Sequence, residues 1–303
     1  MTIDTSTLSD AAAMRQWLSQ FTSDAFVAAS AAASGREIEW CQRVLATFTN
    51  EALVFAPTLA ADLRPGDRVL EVGSGIGFLS LWLHQNGVDI SALDPASGPF
   101  DPFTALSQLV MENAGARPQI LRIGAEELDP ALHGRYDLIF SFNVLEHVAK
   151  LDEAFAAMAA VLAPGGRMLH CCPNYAVPYE PHLSIPLVPG RPELTTRLFG
   201  NAIGSHREIW DSLNFITAGT VRRMARRNGL GVRFARGMMY DRVQRLWQDR
   251  EFSSRHFASP GGRIVWGLLR IGRRLGLVGL LRYLPAEFAT PMLFIAEKPG
   301  AAF

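Results

Sequence analysis

Cysteine is scarce in this chain, with three in 303 residues: Cys41, Cys171 and Cys172. Two are adjacent within an apolar run, so they form neither a disulfide framework nor the spaced pairs of a zinc site, and they read as packing residues in a reducing compartment. Long hydrophobic runs are missing too: nothing reaches the roughly 18 uninterrupted apolar residues of a membrane span. The opening MTIDTSTLSD is polar and acidic, and Ser30 and Ser34 interrupt the alanine-rich run at 25–34, so no secretory leader is expected and a cytoplasmic location is. Lysine is almost absent, with Lys150 and Lys298 alone, while arginine is plentiful.

What is present is a composition of 49% hydrophobic residues, normal for a globular enzyme, in a length that holds one large or two small domains. The zero net charge conceals a division. Residues 1–196 hold 10 Arg and 1 Lys against 22 acids, whereas residues 197–303 hold 17 Arg and 1 Lys against 7 acids. Such asymmetry points either to an anionic partner or to attraction between the two parts.

The most informative stretch is VLEVGSGIGFLSLWL, residues 69–83. It reads as a buried strand, a turn carrying Gly73, Ser74, Gly75 and Gly77, and a helix starting near Phe78. Such a turn is expected to leave backbone N–H groups free for a polar ligand. A dinucleotide fingerprint would need glycine at 73, 75 and 78, and position 78 is Phe. What stands here is an acid, Glu71, two residues before the first of three alternating glycines, with a second acid, Asp94, followed by Pro95, ending the next apolar run.

This pattern resembles the class I S-adenosylmethionine-dependent methyltransferases. The resemblance implies that the glycine turn passes under the methionine part of S-adenosylmethionine and that Asp94 takes the ribose hydroxyls, two vicinal donors that suit one carboxylate. Further segments match in order over about 105 residues. A third strand, 119–123, leads into Gly124-Ala125-Glu126-Glu127-Leu128, where the family contacts adenine. The family's acid is replaced here by Gly124, so that contact falls to the backbone near Ala125 or to Glu126. A fourth strand, 136–142, ends in Asn143-Val144-Leu145-Glu146-His147, which resembles the segment bordering the methyl group in small-molecule methyltransferases, including the ubiquinone-biosynthesis O-methyltransferases. A helix at 151–162 and the turn Ala163-Pro-Gly-Gly166 then precede a fifth strand, 167–172.

Alternating strands and helices predict an α/β fold with a parallel sheet covered on both faces. The resemblance makes this the Rossmann-like seven-stranded methyltransferase sheet with an antiparallel last strand at 291–297, after a sixth strand at 231–239. The expected organisation is a helical cover over 1–61, built from 11–21, 36–48 and 52–63, and a cofactor-binding core over 62–174. A substrate lid over 175–216, core again over 217–239, a basic helical insertion over 240–289, and the final strand and tail over 290–303 complete it. Trp17 and Trp40 are expected in the core.

The loop from Pro173 to Pro192 is too rich in proline for helix and lies where open α/β sheets bind ligands. It carries Tyr175, Tyr179, Glu180 and His182, four groups able to hold or give protons, and with His147 these are the candidate catalytic residues. His147 suits a general base if the acceptor is a hydroxyl. Some relatives with Glu-His at this place use a divalent metal, but two residues do not establish a site and none is assigned. Arg191, Arg197 and Arg207 could hold a phosphate or carboxylate.

Within 262–284, Arg263, Arg270 and Arg274 share one helical line, which suits either a cap on the lid or a helix lying on an anionic membrane; five glycines weaken it as a helix. The expected activity is O-methylation of a small molecule or a glycan or lipid precursor, an anionic one being suited to the arginines. RNA methylation is a second reading, disfavoured by the scarcity of lysine and the lack of a separate RNA-binding module. A non-catalytic cofactor-binding partner is the third.

Overall fold

The computed structural model describes residues 5–95, 98–204, 206–248 and 260–298. Four helices open the chain: α1 (Thr5–Ser9), α2 (Ala11–Leu18), α3 (Asp24–Ser34) and α4 (Ile38–Asp62). Asp10 caps α2 by accepting from the backbone of Ala12 and Ala13, and Ser23 caps α3. The sequence suggests two segments on either side of residues 49–51, yet α4 runs through them and through Pro57 as one helix of 25 residues. It is long and apolar enough to cross a membrane. Its residues Cys41, Leu45, Phe55 and Leu59 are nevertheless buried, and it packs against α1, α2, α3 and α5 (Phe78–Gln85).

The alternation follows: β1 (Arg68–Val72), α5, β2 (Asp89–Leu93), α6 (Pro102–Ala114), β3 (Gln119–Leu121), α7 (Pro130–His133), β4 (Tyr136–Phe142), α8 (Leu151–Ala160) and β5 (Leu162–Cys172). β1 pairs in parallel with β2 and β4, and β2 with β3. The later elements are a two-stranded ribbon of β6 (Tyr179–Glu180) and β7 (Ile185–Pro186), then α9 (Pro192–Gly204), α10 (Arg207–Ser212), α11 (Ala218–Arg227), β8 (Gly231–Phe234), α12 (Met238–Gln248), α13 (Pro260–Arg274) and β9 (Met292–Glu297). α13 turns at Gly276 into a 3₁₀ segment, Leu277–Tyr283.

The sheet has seven strands in the order β3-β2-β1-β4-β5-β9-β8. β9 is antiparallel: the residue after its end, Lys298, donates its N–H to Gly166 near the start of β5 (3.3 Å), and the residue after β8, Ala235, donates to Leu293 near the start of β9 (2.8 Å). The expected Rossmann-like architecture with a reversed last strand is therefore present.

Two expected strands are shorter than the sequence suggests: β3 stops at Leu121 and β8 at Phe234. The residues given to the sixth strand beyond Phe234 instead pass Gly237, at φ 84°, and start α12, whose Val243 and Leu246 are buried.

The chain divides into two compact units, one of Met1–Phe142, Lys150–Leu169 and Glu297–Phe303, the other of Asn143–Ala149 and His170–Ala296. The first contains β1 to β4 and the N-terminal helices. A buried arginine, Arg167, ties its parts together through Asp67 (2.7 Å), Asp62 (3.3 Å) and the carbonyl of Asp137 (3.3 Å). In the second, Asn174 is fully buried and donates to the carbonyls of Ala286 (2.8 Å), Glu287 (3.3 Å) and Ala289 (3.0 Å). The three cysteines are buried thiols outside any disulfide, as packing residues should be. Trp17 and Trp40 are half-buried rather than central. Trp17 meets Phe21, Phe78 and Trp82 with ring centroids 5.0–6.1 Å apart.

Candidate active site

In the first unit the glycine turn follows β1. Its amides are not free: Gly73 and Ser74 donate to Leu93 (2.7 and 3.2 Å) and Gly77 to Ser74 (2.8 Å). Gly75 donates to Asp94 Oδ2 (2.7 Å). The expectation of open N–H groups is corrected here, because the turn spends them on holding itself against β2 and on orienting the Asp94 carboxylate.

Gly75, at φ 55°, stands where any side chain is strained. A Cβ there would lie 2.5 and 2.7 Å from the ring carbons Cε1 and Cζ of Phe48 on α4.

Beside the turn lies a small cleft lined by Phe48, Glu51, Ala52, Phe55, Glu71, Gly73, Ser74, Phe78, Leu79 and Phe142. Four phenylalanines, Phe48, Phe55, Phe78 and Phe142, form much of its wall, and Phe55 stacks flat on Phe142 at 4.1 Å. Two carboxyl groups, Glu51 and Glu71, border it. Glu71 is buried and accepts a hydrogen bond from Ser80 Oγ. Burial raises its pKa to about 8, against the lowering effect of Ser80 and with a further increase from the Asp94 charge. Phe48, Glu51, Phe55 and Ser80 were not singled out by the sequence; Glu51, an acid beginning an otherwise apolar stretch of α4, was the available signal.

After β3, the place of the missing acid is filled from two residues on. A Cβ at Gly124 would run into the Glu126 carboxylate, which folds back into that space and pairs with Lys150 at 3.7 Å. Glu127 caps the turn by accepting from the Gly124 N–H (2.8 Å). Ala125 is buried and Pro95 exposed.

The second unit holds the acid–base cluster. Asn143 and Val144 lead into the 3₁₀ turn Leu145–His147, and Asn143 stands in the left-handed region at φ 56°. Asn214 fixes this turn, donating from its side chain to Leu145 (2.6 Å) and Val148 (3.0 Å) and from its backbone to Glu146 (2.8 Å).

Glu180 is buried, and its Oε1 lies 2.6 Å from Nδ1 of His182. Tyr175 Oη donates to the same oxygen (3.3 Å), and the N–H groups of His182 (3.0 Å) and Leu183 (2.6 Å) complete the shell. Burial alone would raise the Glu180 pKa, but the hydrogen bonds and charge of His182 and the two backbone donors hold it below the ordinary value. Glu180 thus remains a carboxylate, and it fixes His182 with Nδ1 protonated, so that Nε2, 3.7 Å from Glu146 Oε1, is the basic nitrogen of the ring.

His147 Nδ1 hydrogen-bonds Ser212 Oγ (2.8 Å), and its ring meets that of His182 edge-on at 5.1 Å. Burial, then the charge of His182, push its pKa down to about 3, against a small increase from Glu180. Tyr175 is pushed far above its ordinary value by burial and then by the Glu180 charge, so it stays a phenol. Tyr179 is raised by burial as well.

The structure therefore brings together four of the five candidate catalytic residues, His147, Tyr175, Glu180 and His182, while Tyr179 lies on the ribbon with a hydrogen bond to Ser184. Glu146 joins them, its Oε1 being 3.7 Å from His182 Nε2. Glu146, His147 and His182 each offer a metal-ligand atom within 4.8 Å of the others. Of the three lid arginines, Arg207 is engaged by Asp211 (2.7 Å), and Arg191 and Arg197 are exposed.

Fold and motif together define an S-adenosylmethionine-dependent methyltransferase, with S-adenosylmethionine as methyl donor. The chain belongs to the family described as "Methyltransferase domain", which matches residues 39–233. An uncharacterized protein of Mycobacterium tuberculosis is 37% identical over 235 residues, covering 75% of this chain and 77% of its own length. The ubiquinone biosynthesis O-methyltransferase of Bordetella avium is 28% identical over 189 residues, 62% of this chain and 72% of that protein. Among solved structures, an S-adenosylmethionine-dependent methyltransferase from Mesorhizobium loti has a TM-score of 0.49 at 14% identity, covering 80% of this chain and 97% of that one.

Proposed function

We propose that this methyltransferase transfers a methyl group to a hydroxyl of a small molecule or of a glycan or lipid precursor, with His182 as general base. The supporting observation is the buried Glu180 carboxylate 2.6 Å from His182 Nδ1, which makes Nε2 the basic nitrogen and, with Glu146 Oε1 3.7 Å from it, favours a protonated ring. Similarity to ubiquinone biosynthesis O-methyltransferases agrees with an oxygen acceptor.

The first unit would hold the donor. Aromatic walls and the carboxyl groups of Glu51 and Glu71 suit a ligand with a cationic methionine end, Asp94 suits the ribose, and Glu126 with the Ala125 backbone suits adenine. When bound, S-adenosylmethionine supplies an activated methyl on a sulfonium. The protein aligns the groups and excludes water, and His182 takes the proton that the acceptor oxygen gives up. His147, whose pKa burial pushes down to about 3, holds the neighbouring position through Ser212.

A second reading has a specific observation behind it. Glu146, His147 and His182 have the donor set for a divalent cation, and His147, neutral at physiological pH, is in the ligating form. A cation there would lower the pKa of an acceptor hydroxyl directly.

The test is incubation with methyl-labelled S-adenosylmethionine and fractionated metabolites, lipids and RNA. Label in a small-molecule or lipid fraction, unchanged by EDTA and lost in His182→Gln, is the expected result. Loss with EDTA favours the cation; label in RNA, or no demethylated cofactor from any fraction, overturns the reading.

A further inference from the structure

We propose that the face formed by α13 and the 3₁₀ segment after it docks on an anionic phospholipid surface. Eleven large apolar residues are exposed among the described residues, and six fall between positions 268 and 283. Single exposed apolar residues are ordinary, but a cluster of this kind marks an interaction surface.

The backbone aligns them. Leu268 and Ile271 on α13 and Leu275 just after it, whose N–H still bonds the Ile271 carbonyl (3.0 Å), stand at i, i+3 and i+7, one stripe of an α-helix. In the following segment a 3₁₀ helix has three residues per turn, so Leu277, Leu280 and Tyr283 eclipse one another along a single line. These six residues are between 52 and 73% exposed. They are not a core awaiting closure, because the opposite faces already have one: Trp266, Leu269 and Leu281 pack around Val243, Leu246 and Val278.

Charge decides the occupant. Residues 260–286 contain five arginines and no acid. Arg270 and Arg274 are exposed on α13. Arg273 lies over the Trp247 ring (4.7 Å), and Arg282 lies over that of Tyr240 (4.1 Å). A second copy placed on this face by a two-fold axis would bring these arginines against each other without a counter-charge. A bilayer with anionic headgroups satisfies both features, taking the leucines into its interface and pairing the guanidinium groups with phosphates.

The experiment uses the full chain and two kinds of vesicle, phosphatidylcholine alone and phosphatidylcholine mixed with phosphatidylglycerol. Retention on the mixed vesicles alone, falling as salt is raised, is expected. Arg270→Ser and Arg274→Ser should each weaken it roughly fivefold. Leu268→Ser with Leu280→Ser should abolish it. In the wild-type chain, which removes any question of variant folding, hydrogen exchange of the 266–283 amides should slow when mixed vesicles are added.

Failure of the mixed vesicles to retain the protein, or retention indifferent to both sets of variants, overturns the proposal. So does slowed exchange confined to other segments. Self-association that the leucine variants abolish, without vesicle retention, would assign the face to a second copy instead.

Discussion

The most direct probe of the cofactor cleft is the proton on Glu71. Burial raises this carboxyl from 4.5 to about 8 in the folded protein, so at pH 7 about nine molecules in ten hold it neutral. A positive charge brought to about 5 Å, at an effective dielectric of about 20, contributes about 3 kcal/mol in favour of the anion, enough to carry the pKa below 6.

Binding of S-adenosylmethionine at pH 7 should therefore release about 0.9 proton, falling to about a tenth at pH 9, where Glu71 is already ionised. Isothermal titration calorimetry in buffers of different ionisation enthalpy measures this number directly. Glu71→Gln should reduce it to near zero. The sign also fixes a stability trend. With the folded pKa above the unfolded one, Glu71 contributes fully below pH 4.5, and that contribution is lost as pH rises to about 8, by up to about 5 kcal/mol. The glutamine variant should lose this slope. A wild-type enzyme that releases no proton at pH 7, or a variant that releases as many, would show that Glu71 does not face the cofactor's cationic end.

Other substitutions test other parts. Gly75→Ala forces a left-handed φ on alanine and drives its Cβ into Phe48, so it should cost about 2–4 kcal/mol in denaturant unfolding and weaken cofactor binding by tenfold or more. Arg167→Met leaves the buried Asp67 without its cationic partner, with the Arg64 N–H (2.8 Å) still donating to it, and should lower stability by about 3–5 kcal/mol, with activity per folded molecule unchanged at low temperature. Glu180→Gln keeps the volume but no longer stabilises a charged His182, and should reduce kcat by about 100-fold with little change in KM.

The cofactor half of the molecule was readable because its signals are local. The acid–glycine spacing at 71–77 and the apolar run closed by Asp94 are each set by a few neighbouring residues, whereas Ala163-Pro-Gly-Gly166, expected as a turn before the fifth strand, lies within β5. Their order alone dictates a parallel sheet. What escaped was everything that depends on tertiary contact. No local pattern says that Phe48 reaches Gly75, that Glu126 fills the space above Gly124, or that Arg167 is buried among three aspartates' groups. The free amides expected at the turn were lost largely to the same cause, since Leu93, which ends the next strand, and Asp94 just after it take those of Gly73, Ser74 and Gly75. Tyr175 and Tyr179 look equivalent in the loop, and only the ribbon of β6 and β7 separates their environments.

The two histidines show how burial divides roles between residues that the sequence leaves equal. Their rings are 5.1 Å apart, so a proton on one disfavours a proton on the other. His147 is the poorer host: burial, then the His182 charge, hold its pKa near 3. An imidazolium at His182 has Glu180 at 2.6 Å and Glu146 at 3.7 Å to balance it. A proton taken from an acceptor should therefore stay on His182. His147→Gln should leave the acidic limb of the kcat–pH profile in place with a modest loss of rate, whereas His182→Gln should remove the limb together with most of kcat. If His147→Gln removed the limb and His182→Gln did not, the assignment would be reversed, and the carboxylate pair around His182 would have to serve the fold rather than the reaction.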